Sequence, residues 1–283
     1  VNAVLEEWCR RVEAEHAGPL GAAMAYSLRT TGKRFRPALL LAAYRELGGT
    51  GDAMELATAV EVIHTYSLVH DDLPCMDDDD LRRGRPTPHT VYGVAVATDA
   101  GFRLVELSAR VLRAGADRLG LPVAARRSIA RELYRAAGAS GMIGGQVLDL
   151  EAEGRAISLG ELVTIHRAKT GALISASAVI GAMAAGATGP QVEAIREYGF
   201  DVGLAFQIVD DVLDATASSA DLGKTAGKDA AQRKATYTAL LGVEAARREA
   251  QRQSASAVDR LRGLGLDSTL LAGLARLVVD RAS

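Results

Sequence analysis

The chain has 283 residues, enough to bury a large core, and length alone leaves one domain or two open. Apolar residues make up 48% and aromatics only 4%, with abundant alanine and leucine, a composition that suits packed helices better than sheets. A net charge of −2 does not suggest a nucleic-acid partner, and no apolar run reaches the length of a membrane span. No signal peptide is visible, and the two cysteines, Cys9 and Cys75, form neither a disulfide framework nor a metal pair, so a reducing, cytoplasmic setting is expected. The chain starts at Val1 rather than Met, so its natural N-terminus is expected to be missing.

Apolar spacing predicts a first helix over about 2–16, broken by Gly18-Pro19, and a second over about 20–29, stopped by Gly32. Lys33, Arg34 and Arg36 follow in a short loop. Three cations so close together are either a solvated surface or a clamp for phosphate oxygens, to which arginine offers a planar fork and lysine a point charge. Pro37 opens the next helix, about 37–48, which closes at Gly48-Gly49. Asp52 is the expected N-cap of a long apolar helix that Pro74 ends. On it, His64 lies about two turns before Asp71 and shares its face, as a satisfied core residue or as a ligand. The helix runs into the stretch 70–84, which holds six acids and two arginines, Arg82 and Arg83. Asp71 and Asp72 fall at a helix C-terminus, whose partial negative charge disfavours acids. The run is either a solvated loop or is compensated by something positive: the arginines, or a hard divalent cation such as Mg2+, which takes oxygen ligands.

Arg85-Pro86-Thr87-Pro88 excludes helix, which returns over about 91–118 and again over about 123–151. The small-residue patch Gly138 to Gly145 inside the second of these permits close helix approach or marks a kink. Ser158 reads as an N-cap with Glu161 as its capping-box partner, opening a short helix to His166. After Lys169-Thr170-Gly171 a helix of small residues runs to Gly186, suited to a core or to the wall of an apolar channel. The helix over 190–216 ends on Gln207, Asp210, Asp211 and Asp214; Asp210 and Asp214 share one face, with Gln207 on the same side. A polar segment to Lys234 and helices near 235–262 and 268–281 finish the chain. No repeat or low-complexity linker is evident, so residues 1–283 are expected to form a single all-α domain. Two acid pairs, each ending an apolar helix and each followed by basic residues, suggest one cavity with metals bound between them.

Together these residues resemble the trans-isoprenyl diphosphate synthases. Asp71-Asp72 with Asp77 and Leu81-Arg82-Arg83-Gly84 look like the family's first aspartate-rich motif, in its bacterial and plant spacing, and Phe206-Gln207 with Asp210-Asp211 and Asp214 look like the second. Gly32 to Pro37, Gly144 to Asp149, Lys169 to Leu173, Leu222 to Thr225 and Lys234 to Tyr237 match in family order. The resemblance implies a large helical bundle around a deep cavity, the isoprenoid synthase fold, in a homodimer. It implies head-to-tail condensation of an allylic diphosphate with isopentenyl diphosphate. Mg2+, three ions with diphosphate bound, would be held by Asp71, Asp72, Asp77, Asp210, Asp211 and Asp214. Arg82, Lys169 and Lys224 would add fixed positive charge. Thr170 and Gln207 would steady the allylic cation. Lys33, Arg36, His64, Arg83 and Lys234 would bind substrate, and the released diphosphate would take the final proton.

Product length turns on Tyr66 and Ser67. On an ideal wheel Ser67 lies about 40° from Asp71 and Tyr66 about 140° away, so Ser67 faces the cavity but is too small to stop a chain. Tyr66 either leans in from the flank or packs on a neighbouring helix. An aromatic at this position resembles bacterial farnesyl diphosphate synthases, so a C15 product is expected, with C20 as runner-up. One departure stands out: where the family carries Ala-Gly-Asp, this chain has Ala100-Gly101-Phe102, followed by Arg103, with Asp99 three residues before Phe102. Other readings are a class I terpene cyclase, a metal phosphohydrolase suggested by His70-Asp71, and a poorly active regulatory subunit of a larger synthase.

Overall fold

The computed structural model describes residues 1–216, 235–264, 266 and 270–280. Among the described residues the regular structure is helical apart from one hairpin of two-residue strands, and the chain divides into two compact units. No helix of the described residues is long and apolar enough to cross a membrane.

The first unit comprises Val1–Ala38 and Gly51–Arg126. It contains α1 (Asn2–Glu15), α2 (Pro19–Leu28), the start of α3 (Phe35–Glu46), α4 (Met54–Asp71), the hairpin β1 (Leu81–Arg82) and β2 (Arg85–Pro86), α5 (Pro88–Tyr92) and α6 (Val94–Arg118). The two strands pair antiparallel, Leu81 opposite Pro86. Helix α4 is apolar almost all round, so it is buried almost all round: Leu56, Ala57, Ala59, Val60, Val62 and Ile63 are fully enclosed. The N-cap is Ala53 rather than the expected Asp52, which sits one residue outside it and accepts the Met54 N–H on Oδ1 at 3.0 Å. At the other end it stops at Asp71, ahead of Pro74.

Helix α6 packs along α4 through Ala97, Ala100, Gly101, Leu104, Leu107 and Val111. Phe102 lies on the opposite face, 67% exposed. Arg103 pairs with Asp99 at 3.5 Å and with Glu106 at 3.4 Å, both at the surface. The departure at Phe102 therefore leaves the core of this unit untouched. Phe102→Asp is expected to shift the melting temperature by no more than about 2 °C, as exposed substitutions do. A thermal melt checks this; a drop above about 5 °C would mean the ring is packed.

The second unit comprises Leu39–Thr50 and Arg127–Ser283. It holds most of α7 (Val123–Ala137), then α8 (Met142–Ala152), α9 (Leu159–His166), a π-helical turn (Arg167–Gly171), α10 (Ala172–Ala184), α11 (Gly189–Thr216), α12 (Tyr237–Leu241), α13 (Val243–Arg262) and α14 (Leu270–Asp280). Helix α10 is a central stave, Leu173 to Ala182 being buried without interruption, and α11 packs between it and α13. The capping box at Ser158 is complete in both directions.

Three expected helices are each two. The helix of 123–151 breaks at Gly138-Ala139-Ser140-Gly141, so the glycines mark a kink sharp enough to separate α7 from α8. Gly93 and Gly242, with φ of +84° and +79°, separate α5 from α6 and α12 from α13; α5 opens on Pro88, against the expectation that this stretch excludes helix, because proline is tolerated at a first helical position.

Candidate active site

In the first unit the site is built on the C-terminal half of α4. His64 Nε2 lies 3.3 Å from Arg36 Nη1. Because guanidinium can only donate, Nε2 accepts and the ring proton sits on Nδ1. Burial, and then the charges of Arg36, Arg83, Arg82 and Arg34, hold this imidazole well below its ordinary pKa, so it is neutral at physiological pH. Ser67 Oγ donates to the His64 carbonyl at 2.9 Å, and Ser67 is buried. Tyr66 is 8% exposed and its ring stands edge-on to His70, centroids 4.7 Å apart.

The loop after α4 folds back over the helix end. Asp77 N–H donates to the Asp71 carbonyl at 2.9 Å and Asp79 N–H to the Asp72 carbonyl at 3.2 Å, so helix carbonyls that would lack partners are capped by the loop itself. This brings Asp77 back towards Asp71, both half-buried. Asp72 behaves differently. It is 1% exposed, and both its oxygens accept from Arg82 Nε, at 2.7 and 2.9 Å. Burial pushes its carboxyl upward and the guanidinium opposes that. Of the compensators weighed for the helix end, Arg82 takes Asp72.

In the second unit the π-helical turn offsets Lys169 and Thr170 from the regular helical face, a widening common at functional sites. Lys169 Nζ donates to Asp149 Oδ2 at 2.6 Å. Thr170 Oγ1 donates to Gln207 Oε1 at 2.9 Å, and Gln207 Nε2 donates to Asp211 Oδ1 at 3.1 Å. Asp211 Oδ2 accepts the Tyr237 N–H at 2.8 Å. Asp211 is thus buried with protein donors on both oxygens, fixing which way the Gln207 amide points, while Asp210, on the face it shares with Asp214, is half-buried. His166, its ring tilted 38° to that of Tyr237, is pushed down to about 4 by burial.

Among the described residues, no group of three or more His, Cys, Asp or Glu side chains is gathered closely enough to hold a metal by itself. The donors of each unit still suit Mg2+. They are all carboxylate oxygens, and this ion is usually bound through one or two carboxylates with substrate phosphates completing the shell. In the first unit half-buried Asp71 and Asp77 fit that use, and in the second half-buried Asp210 does.

A family model described as polyprenyl synthetase matches residues 18–262. The chain belongs to the polyprenyl synthetase family. This polyprenyl synthetase is a prenyltransferase with the all-α isoprenoid synthase fold. It is 42% identical to a farnesyl diphosphate synthase of Geobacillus stearothermophilus, over 99% of this chain and 94% of that one. It is 46% identical to a chloroplastic heterodimeric geranylgeranyl pyrophosphate synthase large subunit of Arabidopsis thaliana, over 90% of this chain and 69% of that one. A crystal structure of a geranyltransferase from Helicobacter pylori, complexed with magnesium and isoprenyl diphosphate, superposes with a TM-score of 0.82 at 32% identity, covering 98% of this chain and 96% of that one.

The polyprenyl synthetase thus places Lys33, Arg36, His64, Tyr66, Ser67, Asp71, Asp72, Asp77, Arg82 and Arg83 in its first unit. Lys169, Thr170, Gln207, Asp210, Asp211 and Asp214 belong to its second. Lys224 and Lys234 lie outside the described residues. Three contributors had no role in the sequence reading: Asp149 as partner of Lys169, the Tyr237 amide, and Glu61, which pairs with Arg34 at 2.6 Å. Asp149 carried a signal as the last residue of the Gly144 to Asp149 match; a backbone amide carries none.

Proposed function

We propose that this polyprenyl synthetase condenses isopentenyl diphosphate with an allylic diphosphate, head to tail, and stops at farnesyl diphosphate, C15. The observation that carries the product assignment is the match to the Geobacillus stearothermophilus farnesyl diphosphate synthase along nearly the whole chain. Tyr66, a buried aromatic one turn and a residue before Asp71, supports it. The second reading, a C20 product, rests on the similarity to the Arabidopsis thaliana geranylgeranyl pyrophosphate synthase subunit. The two units are taken to act as one polyprenyl synthetase domain, in a cytoplasmic homodimer.

The difficult step is cleavage of the allylic C–O bond, which leaves a carbocation and a diphosphate. Of the six expected ligands, Asp71, Asp77, Asp210 and Asp214 would hold magnesium, which when bound supplies neutralising charge to the leaving diphosphate, while Asp72 is taken up by Arg82 and Asp211 by Gln207 and the Tyr237 N–H. Asp72 keeps the Arg82 guanidinium in one place, so its positive charge is set before negative charge develops. Lys169 adds a second fixed cation, and Lys224 and Lys234 are assigned to the same diphosphates. Lys33, Arg36 and Arg83 bind the diphosphate of isopentenyl diphosphate beside neutral His64, whose Nδ1 proton is available to donate. Gln207 turns its carbonyl oxygen towards Thr170 because Asp211 occupies its NH2, and that oriented dipole steadies the cation. Released diphosphate takes the proton that restores the double bond.

The test is product identification after incubation with Mg2+, isopentenyl diphosphate and, in turn, dimethylallyl, geranyl and farnesyl diphosphate. C15 is expected from the first two and no extension of the third. Accumulation of C20 or longer chains overturns the product assignment, and absence of any condensation overturns the reaction.

A further inference from the structure

The cationic loop between α2 and α3 carries Lys33, Arg34 and Arg36, and the structure separates Arg34 from the other two. Arg34 Nη1 donates to Glu61 Oε1 at 2.6 Å, the glutamate side chain being 3% exposed and the arginine 17%. Its Nη2 donates to the Thr30 carbonyl at 3.1 Å and its Nε to Asn2 Oδ1 at 2.9 Å. Its backbone is left-handed, φ +49°, which a side-chain-bearing residue adopts only when its surroundings impose it. Arg83, also left-handed at φ +54°, donates to the Thr31 carbonyl at 2.7 Å. It lies so close that a Cβ on Gly32 would sit 2.3 Å from its Nη1. Two successive carbonyls of the loop are therefore held by two arginines, and the loop is wrapped around Arg34. Glu61, Thr30, Arg83, Asp72 and Arg82 line one cavity, so Glu61 stands among the guanidinium groups as a buried counter-charge.

We infer that Glu61 is a positioning residue for isopentenyl diphosphate. By holding Arg34 it fixes the backbone that presents Lys33 and Arg36, and it withdraws one cation of the loop from the diphosphate. His64 is three residues further along α4, so a single rigid helix sets both the histidine and the loop. Without the carboxylate, the Arg34 guanidinium would face Arg36 and Arg83 with its charge uncompensated, and the left-handed turn would lose the contact that imposes it. The inference rests on the assignment of this loop to isopentenyl diphosphate.

Glu61→Gln keeps the shape and removes the charge. The expected result is a rise of roughly tenfold in KM for isopentenyl diphosphate, with KM for geranyl diphosphate and kcat within about twofold. A merely structural glutamate would move all three together. Arg34→Gln provides a second route if Glu61→Gln does not fold. It should give the same substrate-selective loss, and the double variant should be no worse than either single one, because both remove one interaction. Calorimetric titration of isopentenyl diphosphate in the absence of allylic substrate reads binding alone. Unchanged isopentenyl diphosphate binding in both variants, or an equal loss for both substrates, overturns the inference. If the wild-type protein itself does not bind isopentenyl diphosphate, the functional reading falls and takes the inference with it.

Discussion

Asp71→Ala and Asp210→Ala are expected to fold as the wild type does and to lose roughly a thousandfold or more in kcat at saturating Mg2+, the scale of losing charge stabilisation of a leaving group. The fold should tolerate Asp71→Ala because Asp71 is the last residue of α4, where an acid meets the negative end of the helix dipole. Removing it relieves a repulsion of about 0.3–1 kcal/mol. Its neighbour should behave in the opposite way. Asp72 is buried and holds Arg82 through both oxygens, so Asp72→Ala leaves the guanidinium, 29% exposed, to its longer contact with Asp79, at 3.6 Å. Breaking such a pair costs on the order of 3 kcal/mol, so this variant should lose stability as well as turnover. Steady-state kinetics and thermal melts on the three variants separate the roles. Near-normal turnover of Asp71→Ala or Asp210→Ala would remove the metal-binding assignment.

Tyr66→Ala is expected to lengthen the product by at least one isoprene unit, from C15 to C20 or beyond. One helical turn is about 5.4 Å, roughly the length of that unit, so emptying a position a turn from Asp71 opens space of the right size. The ring is nearly buried, and one side of it is packed against His70. That packing gives the substitution a stability cost of about 3–5 kcal/mol, the usual penalty for removing a large buried side chain. Tyr66→Leu keeps more of the contact and should shift the products less. The measurement is chain-length analysis of the extracted products. An unchanged distribution for Tyr66→Ala would mean that the ring only packs.

Much of the helical framework was legible because apolar spacing, glycine and proline stops and the Ser158 capping box are local signals. The acid pairs were legible for the same reason, each closing a long apolar helix. What separates the two acids within a pair was not. Asp72 meets Arg82 only because the loop folds back, and Asp211 meets a backbone amide at Tyr237, for which no residue type is diagnostic. Arg34 reads in sequence as a third phosphate-binding cation, whereas Glu61, 27 residues further on, claims it. Phe102 was within reach: the buried stripe Ala97, Ala100, Gly101 and Leu104 leaves it on the outer face of α6. The break at Gly138 to Gly141 was visible as an alternative but not decidable, since glycines serve close packing and kinks equally well.

The central claim is that the carbocation left by C–O cleavage is captured by isopentenyl diphosphate, so that net diphosphate release requires both substrates. Pyrophosphate release from geranyl diphosphate, followed with Mg2+ present and with or without isopentenyl diphosphate, tests it most directly. Release should depend on isopentenyl diphosphate and match, one for one, the C15 product formed; release at an equal rate without isopentenyl diphosphate would identify a cyclase or a hydrolase and contradict the account.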